Sequence, residues 1–160
     1  MSVAAIILNY QRAPNIPIVV KALREGKIIP DEIIVIDNNP KSGLQISGVT
    51  LIKCSKNFGC MVRHAIGLVS GMTHCLFVDD DLTVGINTLR NFMGYHKQFP
   101  KAILGHYGRL INRQAKKPYT GGSQVNTKGI RKPIKVDIVL GRIHFCRRDR
   151  LAQAFALLSK

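Results

Sequence analysis

Short apolar runs alternate with amphipathic stretches through the first hundred residues. VAAIILN (3–9) and EIIVID (32–37) are continuous and rich in β-branched side chains, the pattern of strands buried on both faces of a parallel sheet. Between them, NIPIVVKALREGKI places Ile16, Val19, Val20 and Leu23 near helical spacing, and Gly26 offers a stop. A βαβ unit is predicted. DNNPKSGLQISG (37–48) is turn chemistry, VTLIKC (49–54) a third strand, and FGCMVRHAIGLVSGM (58–72) a helix with Met61, Ala65 and Leu68 on one face. HCLFVDDD then reads as a fourth strand that runs straight into three aspartates. INTLRNFMGYHKQF (86–99) repeats Leu89, Phe92, Met93 and His96 at helical spacing before Pro100 ends it, and KAILGHYGRLI (101–111) reads as a strand. Periodicity dissolves over 112–133, which is rich in Gly, Pro and cations and is predicted to be a loop. One or two strands follow through about Cys146, then a helix from Asp149 onward.

This order predicts a single α/β domain over residues 1–160, with three layers and a mainly parallel sheet. Ligands of such sheets bind outside the carboxyl ends of the strands. NYQR, DNN and DDD each follow an apolar strand directly, so they are expected along one rim.

Composition narrows the classes. No stretch approaches the roughly 18 apolar residues that a membrane-spanning helix needs. The N-terminus enters an apolar run with no preceding Lys or Arg and no small-residue cleavage site, which argues against a secretory signal. Cys54, Cys60, Cys75 and Cys146 have neither zinc-site spacing nor the density of a disulfide scaffold, so reduced thiols and a cytoplasmic location are expected. Charge is uneven: residues 1–84 hold 8 Lys and Arg against 7 Asp and Glu, whereas residues 85–160 hold 16 against 2. The second half should attract anions, whether nucleic acid, the diphosphate of a nucleotide, or an anionic membrane surface on which the protein would sit peripherally.

Against that background, Asp79, Asp80 and Asp81 stand out. Three adjacent carboxylates repel one another and need positive charge to offset them. A strand end with a helix N-cap explains one or two; a divalent cation explains all three, since carboxylate oxygens suit magnesium or manganese, which complete their shell with phosphates and water. A nuclease-like two-metal site would need further carboxylates, and Asp37 is the only other acid at a strand end. A nucleic-acid-binding protein is the other alternative, weakened by the scarcity of stacking aromatics near the basic loop, where Tyr107 and Tyr119 are the candidates.

VDDD at the end of a hydrophobic strand, with NYQR after the first strand, DNN after the second and NFGCMVRHAIG leading into a helix, resembles the nucleotide-sugar half of GT-A glycosyltransferases. Two families share these features: the large family 2, and the exostosin-like family 64. The string VDDDLTVGINTLRNFMGYHKQFPKAILGHYGR is closest to family 64, and VDIVLGRIHFCRRDRL resembles the segment that crosses beneath the acceptor site. The resemblance implies a Rossmann-like nucleotide-sugar-binding part over about 1–111, the basic loop 112–133, and an acceptor-side strand and helix over 134–160. It implies a hexosyl- or N-acetylhexosaminyltransferase that takes a nucleotide diphosphate sugar, a UDP-sugar by expectation, with Mn2+ or Mg2+. Asp81 would be the direct metal ligand, Asp79 would reach the ribose and assist the metal, and Asp80 would lie near sugar or metal; these three form the catalytic set. Arg12, Asp37, Asn38 and Asn39 would line the base and ribose pocket, and Asn57 and Arg63 would contact the nucleotide. As residues alone, Asn38 and Asn39 also suit turns, and Arg12 and Arg63 also suit solvated positions. His106 and His144 read as core or surface histidines rather than ligands.

The chain departs from both families at one point. They supply an acidic pair after the segment resembling VLGRIHFCRRDRL; here only Asp137 and Asp149 remain, and neither has an acidic neighbour. A C-terminally truncated piece of a longer enzyme, or a shortened relative that binds donor and transfers poorly, is therefore expected. The acceptor, whether glycan, lipid or protein, does not follow from these residues.

Overall fold

A computed structural model of the protein describes residues 1–126 and 132–158, apart from the side chain of Leu158. Six strands form the main sheet in the order β3-β2-β1-β4-β9-β5. β1 (Val3–Asn9), β2 (Glu32–Asp37), β3 (Thr50–Lys53) and β4 (His74–Asp79) are parallel; β9 (Ile143–Arg147) runs antiparallel to β4 and to β5 (Leu104–Gly105). Both faces of β1 are covered, which is why its run is unbroken: Ala4, Ala5, Ile6 and Ile7 are fully buried.

Alternation along the strands feeds two separate cores. Ala5, Ile7, Val35 and Val78 point to one face, where α1 (Ile16–Arg24) brings Ile16, Val19, Val20 and Leu23, and α3 (Thr88–Gln98) brings Leu89 and Phe92. Ile6, Ile36 and Phe77 point to the other, against Val62 and Ile66 of α2 (Val62–Val69) and Leu151 of α4 (Arg148–Leu158). These are the three predicted layers. Gly67 of α2 packs tightly against both the sheet and α4: a Cβ there would lie 2.8 Å from Phe77 and 3.0 Å from Leu151.

A second sheet, absent from the sequence reading, has the order β7-β6-β8 and is antiparallel. It comprises β6 (Tyr107–Leu110), β7 (Ser123–Asn126) and β8 (Ile138–Val139). Three expectations are corrected. The strand expected over 101–111 is two short strands that part at His106 and join different sheets. The 112–133 loop contains β7, whose polar Ser-Gln-Val-Asn has little apolar alternation to reveal it; its residues 127–131 lie outside the described residues, as do 159–160, the end of the helix expected from Asp149 onward. The helix expected over 58–72 is confined to Val62–Val69, because Gly59 takes a φ of 75° in a loop that precedes it.

The connections position the site. From β1 the chain moves through α1 to β2 and β3, then returns through α2 to β4 on the other side of β1. The order therefore reverses between β1 and β4, whose carboxyl ends stay paired through Leu8 and Asp79 and mark the switch point where such sheets hold ligands in a crevice outside the strands. Among the described residues no helix is long and apolar enough to cross a membrane.

Candidate functional site at the carboxyl rim

The register sets Leu8 beside Asp79 and Asn9 beside Asp37, so the three polar clusters do meet along one rim. The Asn9 side chain is fully buried and its Nδ2 donates to Asp37 Oδ1 at 2.8 Å. Ser42 Oγ donates to the other oxygen of Asp37, and the Asn39 amide reaches Oδ1 at 3.4 Å. Asp37 thus serves as the hub of the turn after β2. Asn39 closes the same turn by accepting from the Lys41 amide.

Asn38 faces the other way. It is 2% exposed; its Nδ2 donates to Asn57 Oδ1 at 2.8 Å and to the Gly59 carbonyl at 3.1 Å, and its Oδ1 accepts from the Phe58 amide at 2.9 Å. One buried amide therefore fixes the loop between β3 and α2 against the end of β2. Asn57 itself is exposed and turns the loop by accepting from the Gly59 amide.

The three aspartates are not equivalent, because alternation and local partners divide them. Asp80 is buried, and both oxygens are spent: Oδ2 accepts from the Tyr10 amide at 3.1 Å and Oδ1 from Arg12 Nη1 at 3.0 Å. Its own carbonyl accepts from Asn15 Nδ2 at 2.9 Å. The Asp80 hydrogen bond and charge raise the Arg12 pKa above its ordinary value. Asp79 projects toward α2, where its Oδ1 pairs with Arg63, an arginine 5% exposed. Burial pushes the Asp79 carboxyl above the usual range while the Arg63 guanidinium pulls it back. Its Oδ2 accepts no hydrogen bond among the described residues. Asp81 is exposed, with Arg12 at 3.8 Å from Oδ2 as its nearest charge partner.

Two carboxylates therefore keep open oxygens at the crevice, Asp81 and half of Asp79. That donor set suits a small hard cation, which takes one or two carboxylates and shares the rest of its shell with phosphates and water. Among the described residues no three His, Cys, Asp or Glu side chains group as a self-sufficient metal cage. An ion here would depend on the phosphates to complete its shell.

Residues missed by sequence reading complete the rim. Asn15, on the turn into α1, holds the backbone of the acidic turn; the Asn9 side chain anchors Asp37; Arg142 lies beside Asp79, whose amide donates to the Arg142 carbonyl at 2.9 Å. The Arg142 guanidinium is exposed and stacks on Tyr107 with its carbon 5.2 Å from the ring centre. Arg12 and Arg63 are tied to carboxylates, whereas Arg142 has no ion-pair partner among the described residues. Gly141 precedes it, and a Cβ there would stand 2.9 Å from Arg63 Nη2, so that position has room for glycine only while Arg63 holds Asp79. No local signal marks Asn15 or Arg142, because each owes its place to a partner about 65 residues away along the chain.

Behind Arg63 lies a histidine pair. His64 Nε2 and His144 Nε2 are 3.1 Å apart, and the His144 ring stacks on Phe77 at 4.6 Å. Burial and the nearby Arg63 charge push His64 down to about 4; burial, then His64 and Arg63, push His144 down to about 3. His106 is half-buried and stacks on Phe92. His106 and His144 are packing groups, as expected, and His64 joins them. Asp137 and Asp149 stand apart from the rim: Asp137 accepts from the Ile111 amide in the small sheet, and Asp149 pairs with Arg147 at 2.7 Å, at the opposite end of β4.

No protein-family model matches this sequence, and a search of curated proteins found no match. Solved structures do match. S. aureus TarS 1–349 superposes with a TM-score of 0.67 at 15% identity, over 97% of this chain and 49% of that one. The same protein in complex with UDP gives 0.68 at 16% identity, over 97% and 49%. In complex with UDP-GlcNAc it gives 0.69 at 15% identity, over 97% and 48%. The likeness is one of fold, a GT-A-like α/β architecture, and this chain spans about half the length of those structures.

Proposed function

We propose that this chain is the donor-binding part of a glycosyltransferase, which takes a nucleotide diphosphate sugar, a UDP-sugar by the chemistry of its neighbours, at the crevice between β1 and β4. The observation that carries the reading is the division of labour among the aspartates. Asp80 is consumed in holding NYQR against the acidic turn, while Asp81 and Asp79 Oδ2 remain open at the switch point of a fold shared with a structure solved with UDP-GlcNAc. The likeness to TarS supports the GT-A-like fold that both resembled families share, and gives the narrower likeness to family 64 no support of its own.

Asp81 and Asp79 would hold Mn2+ or Mg2+. Such an ion, when bound between them and a diphosphate, supplies positive charge where negative charge grows as the sugar leaves. The protein's own residues set up that step. Arg63 and Arg12 neutralise the two carboxylates that would otherwise repel the phosphates, and Arg142 adds a cation at the rim that is not already paired. Asn38 and Asp37, on their buried anchors, shape the ledge on which base and ribose would rest. A base for the acceptor hydroxyl is not furnished by Asp137 or Asp149, both engaged away from the rim. Donor binding is therefore the half of the reaction that these residues support.

Calorimetric titration of UDP, with and without Mn2+, tests the reading. Binding that strengthens with Mn2+, and an increment lost in Asp81→Asn while the fold is retained, is expected. Equal binding with and without the metal, or an Asp81→Asn variant indistinguishable from the parent, would sink it.

A further inference from the structure

The charge excess is not explained by a donor site. It gathers on the small sheet and its connections: residues 107–126 and 132–142 carry seven Lys and Arg against one acid, Asp137. Arg113 approaches that acid at 3.6 Å, and Arg109 is folded back on Tyr119, its carbon 4.5 Å from the ring centre. Lys116, Lys117, Lys132 and Lys135 are exposed and have no carboxylate partner among the described residues. Interleaved with them are apolar side chains that the fold leaves in water: Leu110 is 40% exposed, Tyr119 48% and Ile134 53%.

We propose that this sheet docks the protein on an anionic phospholipid bilayer, with the lysines among the headgroups and Leu110, Tyr119 and Ile134 entering the interface. Charge complementarity calls for an anionic partner; the apolar side chains choose which. A dissolved polyanion gives Leu110 and Ile134 nothing to bury against, whereas the headgroup boundary accepts apolar and cationic groups side by side. Nucleic acid would want free aromatic faces for stacking, but Arg109 covers one face of Tyr119 and Arg142 covers one of Tyr107. Compact, flexible lysine charges also suit a diffuse, fluid array of phosphates, which demands no fixed fork geometry.

Docking has a consequence for the rim. Leu140 N–H donates to the Tyr107 carbonyl and Asp79 N–H to the Arg142 carbonyl, each at 2.9 Å, so the short turn that leaves the small sheet runs directly to the acidic turn. A bilayer held by the sheet would lie beside the crevice. The inference itself stands on the sheet alone and is tested without nucleotide, so it survives or fails independently of the donor reading.

Co-sedimentation with vesicles of phosphatidylcholine, with and without phosphatidylglycerol, tests it. The protein should pellet with the anionic vesicles and stay in solution with the neutral ones. Lys116→Glu with Lys117→Glu should lower the partition coefficient about tenfold or more. Leu110→Ser with Ile134→Ser should also lower it, and should do so even in high salt, where the lysines are screened. Both variants are surface changes, and an unchanged thermal midpoint checks that they fold. Absence of binding to anionic vesicles, or loss on charge reversal with no effect of the apolar pair, overturns the proposal. Single-stranded RNA bound more tightly than the anionic vesicles overturns it in favour of a nucleic-acid face.

Discussion

Acid should destabilise this protein through His144, and the size of the effect follows from its surroundings. The ring is 6% exposed, stacked on Phe77 and joined to His64 through the Nε2 atoms. An imidazolium there would lose its hydration and face Arg63, so the folded pKa falls from 6.5 to about 3. In the unfolded chain the same residue protonates normally. The unfolded state therefore binds more protons between these two values, and stability falls as the pH drops through 6.5 and keeps falling until about 3. Each pH unit in that window costs about 1.4 kcal/mol, which makes pH 5 about 2 kcal/mol worse than neutrality for this one residue. His64, held down to about 4, adds to the loss in the same direction, over a window that closes at about 4 rather than 3. Urea unfolding followed by circular dichroism at about pH 8 and pH 5 would measure it, with His144→Gln beside the parent. Glutamine keeps a polar group toward His64 but cannot titrate, and all other groups are common to both proteins. The acid-induced loss should be about 2 kcal/mol smaller in the variant. Equal losses in the two proteins would refute the claim that His144 is buried and neutral.

Asn38→Ala removes three hydrogen bonds that tie the Asn57–Gly59 loop to the end of β2. It should cost about 2 kcal/mol of stability and speed amide exchange at Phe58 and Gly59, which hydrogen-exchange NMR would detect. Gly67→Ala adds a methyl 2.8 Å from Phe77, 3.0 Å from Leu151 and 3.2 Å from Ile6. Overpacking of about 1–3 kcal/mol should outweigh the better helix propensity of alanine, so the thermal midpoint should fall; a rise would show that the α2–sheet contact yields easily.

What the sequence revealed, and what it concealed, has a physical pattern. Parallel strands buried on both faces announce themselves, because VAAIILN and EIIVID have no solvent side to encode; the rim followed from them, since a polar cluster directly after such a strand can only sit at its carboxyl end. The small sheet stayed hidden because its strands are two to four residues long and half-exposed, and Ser123–Asn126 is mostly polar. The antiparallel direction of β9 was hidden as well: IHFCR is as apolar as β4, and direction is decided by the pairing of Phe77 with His144 and Leu76 with Phe145 across the sheet. Within the site, three identical side chains in a row give no hint that Asp80 turns inward to Tyr10 and Arg12 while Asp81 stays in solvent. That division depends on a β1 neighbour about 70 residues away, beyond any local pattern. Asn38 shows the same limit: its turn-forming chemistry is legible, but its grip on the Asn57 loop exists only once β2 and β3 lie side by side.

On the proposed reading, a nucleotide diphosphate and a divalent ion would meet at the crevice between β1 and β4. Amide spectra of 15N-labelled protein with Mn2+ alone, UDP alone and both together test it directly, because the paramagnetic ion broadens only nearby signals. The account predicts broadening centred on Tyr10, Arg12 and Asp79 to Leu82 that requires UDP for its full extent. Broadening that ignores UDP, or that centres away from these residues, would contradict it.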